Sequence, residues 1–169
     1  MKQTRARFLV HAAVIAALYA VLTHLQNILL PGTASMAIQM RVSEAMCVLA
    51  FFTPAAIPGL SVGCLIFNLT FAGTLPLDFL VGTLASFLAA EGMWLTRKVT
   101  VKVYPLPGMC MPAITNAILV GWELTFYLGG GFALNALYVA IGELAVLLTL
   151  GTALYYALKR RGVAEKLFA

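Results

Sequence analysis

Charged residues are scarce in this sequence, with eleven Lys or Arg and six Asp or Glu among 169 residues. A soluble domain of this length would expose far more charged side chains, so the low charge argues against a water-soluble fold. Hydrophobic residues make up 62% of the chain, and the mean hydropathy is +0.97. The sequence therefore predicts an integral membrane protein. Its net charge of +5 bears on topology and does not indicate nucleic acid binding.

Motifs of the common catalytic and metal sites are missing as well. No G-x-x-x-x-G-K-[ST] phosphate loop occurs, so any use of ATP would need another chain. No G-x-S-x-G or H-E-x-x-H motif occurs, and His11 and His24 both fall in the first apolar run without a companion ligand at useful spacing. The three cysteines lie in apolar runs without C-x-x-C spacing, which indicates neither a zinc site nor a disulfide framework. We expect no catalysis, no metal and no cofactor in this chain.

Four apolar runs are near or above the roughly 20 residues that cross the hydrocarbon core of a bilayer. They cover residues 8–30, 78–96, 108–128 and 133–158. A fifth stretch, residues 45–71, contains Pro54 and Pro58, which end or kink helices. This stretch is either one broken helix or two short ones.

The basic residues decide between these two readings. If the stretch crosses twice, turning at "TPAAIP", ten of the eleven basic residues lie on the side of the N-terminus, as the positive-inside rule requires. If it crosses once, the cluster Arg97, Lys98 and Lys102 falls on the opposite side. We therefore predict an all-α bundle of six transmembrane helices, forming one domain over residues 1–169 with both termini in the cytoplasm. Arg41 is then the only basic residue on the outer side.

The polar residues of the predicted spans concentrate in the outer half of this bundle. At about 1.5 Å per helical residue, Asn116 and Glu143 lie at similar depth, about ten residues from the outer ends of their helices. A carboxylate so deep is costly and usually functional, so Glu143 is the first candidate for ligand binding. The further candidates around a polar cavity open to the outside are Asn68, Asp78, Glu123, Trp122 and Tyr127.

Most of these candidates also have a purely structural interpretation. Asp78 would stabilise the start of its helix, and the two asparagines would join helices by hydrogen bonds. Glu123 is shallow enough for its side chain to reach the surface. Trp122 and Tyr127 would belong to an aromatic belt at the membrane interface, or one of them would stack on a planar ligand. The sequence leaves these alternatives open.

Two further patterns have both an internal and an external interpretation. Arg41 and Glu44, three residues apart at a predicted helix start, form a local ion pair, a gate over the ligand, or both. Ala12, Ala16 and Ala20 recur every four residues in the first helix, and such small residues let another helix approach closely. That helix belongs either to this chain or to a partner.

Several segments resemble a known family. They are "IQMRVSEAMCVLAFFTPAAIPGLSVGCLIFNL", "LDFLVGTLAS", "PLPGMCMPAITNAILVG" and "IGELAVL", which lie between Ile38 and Leu147. The most distinctive parts are R-x-S-E, G-L-x-x-G-C-x-x-x-N and T-N-A-I. This pattern resembles the queuosine-precursor transporter (QueT) family, the substrate-binding S components of energy-coupling factor (ECF) transporters.

The resemblance implies a function and partners. An S component has six helices with both termini inside, binds a vitamin-like substrate from outside, and docks on a transmembrane coupling subunit driven by two ATPase subunits. It implies a prokaryotic-type cell membrane and, for the alanine stripe of Ala12, Ala16 and Ala20, a docking surface. The implied ligand is a 7-deazaguanine such as preQ1 or preQ0, or else queuine or queuosine. Its guanine edge has two parallel donors that match the two oxygens of a carboxylate, for which Glu143 is the first choice.

Two other functions stay open at this stage. One is an S component for another vitamin-like substrate. The other is a stand-alone ion-coupled carrier that uses Glu91, Glu123 and Glu143 as a proton path. An anionic vitamin is disfavoured, because Arg41 alone supplies positive charge on the outer side.

Overall fold

The computed structural model describes residues 4–33 and 40–168, which form a bundle of helices. The elements in chain order are α1 (Arg5–Leu29), a long 3-10 helix (Val42–Phe51), α2 (Ala56–Thr70), α3 (Asp78–Thr96), α4 (Leu106–Met109), α5 (Met111–Leu128), α6 (Phe132–Val146), a π-helical turn (Leu147–Gly151), α7 (Thr152–Lys159), a 3-10 turn (Arg160–Gly162) and α8 (Val163–Phe168). The all-helical fold predicted from the sequence is confirmed.

Four helical stretches are long and apolar enough to cross a membrane. They are Arg5–Leu29, Asp78–Thr96, Leu106–Leu128 and Phe132–Lys159. The third joins α4 to α5, and the fourth runs from α6 through the π-helical turn into α7. These stretches match the four long apolar runs of the sequence. The number of crossings and the side of the termini stay predictions.

The chain between these long helices is broken where "TPAAIP" predicted a break. The 3-10 helix ends at Phe51, and α2 begins at Ala56. Thr53 stabilises the connection, because its hydroxyl accepts a hydrogen bond of 3.3 Å from the Ala55 N–H. Ten residues in 3-10 geometry and fifteen in α geometry each extend about 20 Å, which is less than the ~30 Å of a hydrocarbon core. Both short helices are apolar, as predicted.

The 3-10 helix is the central element of the bundle. All residues from Ser43 to Phe51 are buried, so this helix has no exposed face along nine residues. It packs against α1, α2, α3, α6 and α7, and also against the π-helical turn. This short helix is buried on every side because other helices surround it.

The alanine stripe of α1 lies at the contact with α2. A Cβ atom built on Gly59 would be 2.9 Å from the Ala12 carbonyl oxygen, and one built on Gly63 would be 2.8 Å from that of Ala16. Two glycines four residues apart on α2 therefore let the backbones of the two helices approach closely. Internal packing, the first of the two interpretations, accounts for Ala12 and Ala16.

The outward face of α1 carries different small residues. Ala16 and Ala20 are 4% and 6% exposed, so they offer no surface to another protein. Ala13 and Ala17 lie on the exposed side of the helix. The burial of Ala16 and Ala20 argues against the docking surface that the resemblance implied for Ala12, Ala16 and Ala20. Periodicity alone did not show which alanines face outward.

Candidate functional site

Seven polar residues that the sequence analysis selected are all buried inside the bundle, at most 7% exposed. They are Arg41, Glu44, Asn68, Asp78, Asn116, Glu123 and Glu143. Their charges act on one another through the interior, with the guanidinium of Arg41 close enough to influence all four carboxyl groups. The structure thus brings together groups from α2, α3, α5, α6 and the 3-10 helix.

Glu44 is held by donors on two sides. The Tyr19 hydroxyl donates a short hydrogen bond to Glu44 Oε1, and the Cys47 thiol lies 3.1 Å from Oε2. Cys47 is one turn further along the 3-10 helix, whereas Tyr19 comes from α1. Both oxygens of this buried carboxyl are therefore satisfied by the protein itself.

Arg41, immediately before the 3-10 helix, turns inward toward α2. Its Nη1 lies 3.8 Å from Cys64 Sγ, and its guanidinium carbon lies 5.6 Å from the centre of the Phe67 ring. The face of an aromatic ring attracts a cation, more strongly where water is excluded. Arg41 thus forms the positive centre of the buried cluster.

Asn68 and Asp78 meet where α2 and α3 face each other. Asn68 Nδ2 donates a hydrogen bond of 2.8 Å to the Asp78 carbonyl oxygen. A Cβ atom built on Gly82 would be 2.8 Å from both Asn68 Nδ2 and Asp78 Oδ1. Glycine at position 82 therefore leaves the space that these two polar side chains occupy. Asp78 also begins α3, where a carboxylate stabilises the helix N-terminus, and its binding role stays a prediction.

Asn116 on α5 and Glu143 on α6 form a buried pair. Asn116 Nδ2 donates to Glu143 Oε1 at 3.0 Å, which agrees with the similar depth that the sequence predicted for them. The other oxygen, Oε2, is buried without a hydrogen-bond partner among the described residues. The pair therefore fixes the orientation of the Glu143 carboxylate.

Glu123 faces a cavity of about 220 Å³ between the α2–α3 connection and α5. Both of its carboxylate oxygens are buried and lack hydrogen-bond partners within the described part of the chain. The walls of the cavity are otherwise mainly apolar. Its lining consists of Gly73, Thr74, Leu75, Asp78, Val120, Glu123, Leu124 and Leu128. The cavity lies one to two turns along α5 from Asn116, on the same buried face.

The two aromatic candidates lie away from this cavity. Trp122 is 52% exposed, and its ring stacks on that of Phe126 at 5.9 Å. Tyr127 is half-buried and meets the edge of Phe126 at 5.1 Å. Trp122 therefore belongs to an outward aromatic cluster, which was its structural interpretation.

Sequence reasoning missed the contribution of α1. Tyr19, Thr23, Gln26 and Asn27 follow the spacing i, i+4, i+7 and i+8, which places polar groups along one face of an otherwise apolar helix. Thr23 Oγ1 donates to Ser43 Oγ at 2.7 Å, beside the Tyr19 contact to Glu44. This polar periodicity was the signal in the sequence that could have placed α1 beside the buried cluster. No such signal marked Cys64, which lies beside Arg41, because cysteine is common in apolar interiors.

Gln26 forms hydrogen bonds with residues on both sides of the segment 34–39. Its Nε2 donates to Thr33 Oγ1 at 3.0 Å and to the Met40 carbonyl oxygen at 2.6 Å, while its Oε1 accepts from the Val42 N–H at 2.7 Å. The predicted gate of Arg41 and Glu44 would act on this connection, whose residues 34–39 lie outside the described residues. The two gate residues themselves are buried in the cluster.

A comparison with known families adds one finding to this geometry. A family model described as QueT transporter matches residues 9–160, most of the chain. No curated protein and no solved structure matches the sequence. The matched region contains every residue of the buried polar cluster, and it confirms the family that the sequence motifs resembled. Among the described residues, no three His, Cys, Asp or Glu side chains are grouped as metal ligands would be.

Proposed function

Because this chain belongs to the QueT transporter family, we propose that it is the S component of an ECF importer and captures a queuosine precursor outside the cell. The family and the four long apolar helices establish a transporter in a membrane. The proposal adds the substrate, the partners and the direction. In it the chain crosses the membrane six times, both termini are cytoplasmic, and the membrane is that of a prokaryotic-type cell.

One observation carries the choice of substrate, namely an excess of buried hydrogen-bond acceptors. Glu143 Oε2, Asn68 Oδ1 and both carboxylate oxygens of Glu123 are buried without partners among the residues the structure describes. Buried acceptors are costly unless a donor reaches them. A 7-deazaguanine supplies donors at N1, at its exocyclic amine and at its pyrrole nitrogen. Four carboxyl groups around one guanidinium would also repel an anionic ligand.

The ring would be recognised by the Glu143 and Asn116 pair. Glu143 Oε2, which has no hydrogen-bond partner among the described residues, would accept from the guanine edge, and the bond from Asn116 holds the carboxylate in place. The amide oxygen of Asn68 has no partner within the part of the chain that the structure describes, and it would contribute a further acceptor. Asp78 and Glu123 line the neighbouring cavity. For stacking, Tyr127 is favoured over Trp122, because Trp122 faces outward.

Partner docking is proposed for the outward face of α1. Ala13 and Ala17 are the small residues on that face, and they would allow a helix of the coupling subunit to approach closely. Two ATPase subunits would drive that subunit, since this chain has no phosphate-binding loop. Arg41 and Glu44 are proposed as a gate that slows escape of the ligand.

The isolated protein is the test of this proposal. Titration calorimetry in detergent would compare the aminomethyl and nitrile forms of 7-deazaguanine with thiamine, biotin and riboflavin, without ATP. The proposal requires a preference for the deazaguanines; a preference for one of the three vitamins would make the chain an S component of another kind. Proton flux after a pH jump in liposomes containing this chain alone would instead support an ion-coupled carrier.

A further inference from the structure

Three of the four buried carboxyl groups, those of Glu44, Glu123 and Glu143, differ in how the protein satisfies them. Glu44 receives donors from Tyr19 and Cys47, and Glu143 receives one from Asn116. Glu123 is fully buried, yet neither of its oxygens has a partner among the described residues. Removing an ionised carboxylate from water without pairing it costs several kcal/mol. Glu123 therefore lacks, within the described part of the chain, the partner that its burial requires.

The surroundings of Glu123 show where that partner would lie. Its side chain lines the 220 Å³ cavity together with Asp78, and the remaining walls are largely leucine and valine. The positive charge of Arg41 influences Glu123, but that guanidinium lies against Cys64 and Phe67. The cavity thus combines two carboxyl groups, an apolar wall and room for a small group.

Glu123 lies on the same helix as Asn116, which with Glu143 would hold the ring of the ligand. Asn116 and Glu123 are seven residues apart on one buried face of α5, which is about 10 Å along the helix. A small ligand whose ring contacts Glu143 and Asn116 would direct a substituent toward Glu123. The chemistry of that substituent follows from the charge it meets.

We infer that Glu123 forms an ammonium subsite that selects ligands with a primary amine on a short arm. The inference rests on the proposed function. A protonated amine has three N–H donors and one positive charge, which satisfy both oxygens of Glu123 and compensate its charge. A neutral substituent of the same length would leave that carboxylate uncompensated. Glu123 is therefore a specificity residue, while Glu143 recognises the ring that all 7-deazaguanines share.

The experiment measures the affinity of two ligands for each of three proteins. Titration calorimetry of wild type, Glu123→Gln and Glu143→Gln would use the aminomethyl and nitrile forms of 7-deazaguanine in sodium-free buffer. Wild type is expected to bind the cationic aminomethyl form more tightly. Glu123→Gln should weaken that form by about ten-fold or more and leave the nitrile form nearly unchanged. Glu143→Gln should weaken both ligands.

The outcomes separate this inference from the proposed function. If wild type binds neither deazaguanine, the proposed function fails. If wild type binds both, and Glu123→Gln weakens them equally or not at all, the ammonium subsite is wrong and the function stands. Glu123→Asp, which keeps the charge, should retain part of the preference. A nitrile affinity that rises with sodium in wild type, and no longer does so in Glu123→Gln, would assign the subsite to an inorganic cation and overturn the inference.

Discussion

Asn116 and Glu143, 27 residues apart in the chain, are joined by a hydrogen bond of 3.0 Å in the interior of the bundle. The amide thereby uses one carboxylate oxygen and fixes the direction of the other. A side chain held in this way loses little freedom when a ligand binds, so more of the contact energy contributes to affinity.

Glu143→Gln is expected to weaken ligand binding strongly. The change keeps the shape of the side chain but replaces one acceptor by a donor that faces the donors of the ligand. The expected cost is about 2–4 kcal/mol, or roughly thirty-fold or more in affinity. Titration calorimetry measures it, with Glu91→Gln as the matched control because Glu91 lies on α3 outside the buried cluster. Wild-type affinity in a folded Glu143→Gln protein would remove Glu143 from the site.

Arg41→Lys tests the proposed gate. Lysine keeps the buried charge but loses the planar group that reaches Cys64 and lies over Phe67. A weakened gate should raise the dissociation rate of the ligand more than it changes the association rate. Stopped-flow measurements in detergent provide both rates. Lys98→Arg is the control for exchanging lysine and arginine, because Lys98 lies on the exposed surface and its exchange should change neither rate. An effect on association alone would mean that Arg41 steers the ligand.

The sequence predicted the long helices well, because apolar length is a property of the chain alone. Pro54 and Pro58 likewise predicted the break between the 3-10 helix and α2. It did not show which face of α1 packs inward, since Ala13 and Ala17 have the same spacing as Ala12 and Ala16. The packing of α1 against α2 determines which of these alanines face inward. The hydrogen bond from Tyr19 to Glu44, and the lack of a partner for Glu123 among the described residues, also depend on which distant segments the fold brings together.

Ala17→Leu and Ala16→Leu should separate transport from folding. Ala17 faces outward, so leucine there should leave ligand binding by the isolated protein intact while uptake by the complete transporter falls toward background. Ala16 packs against Gly63, and leucine at this position should lower stability and binding together. Calorimetry on the isolated protein and uptake by cells with all subunits are the two measurements. Unchanged uptake in Ala17→Leu would place the docking surface elsewhere.

Val103→Gly is expected to stabilise the protein. Val103 has a φ of 75°, a left-handed conformation that a β-branched residue adopts only under strain, and its side chain is 72% exposed. Glycine removes the strain at some cost in chain entropy, for a net gain of about 1 kcal/mol in the free energy of unfolding. Denaturant unfolding in detergent measures it. Val101→Gly is the control: Val101 is not among the positive-φ residues, so glycine there should bring no gain.

The 3-10 helix connects the buried residues Arg41 and Glu44 to an aromatic contact at the other end of the element. Arg41 and Glu44 lie at its start, and Phe51 at its end packs edge-on against Tyr155 of α7 at 5.7 Å. Ten residues rise about 2.0 Å each in this geometry and about 1.5 Å each in an α-helix, so rewinding into α form would shorten the element by about 5 Å. A change of this kind at Arg41 and Glu44 would therefore also shift Phe51 relative to Tyr155 at the other end of the helix.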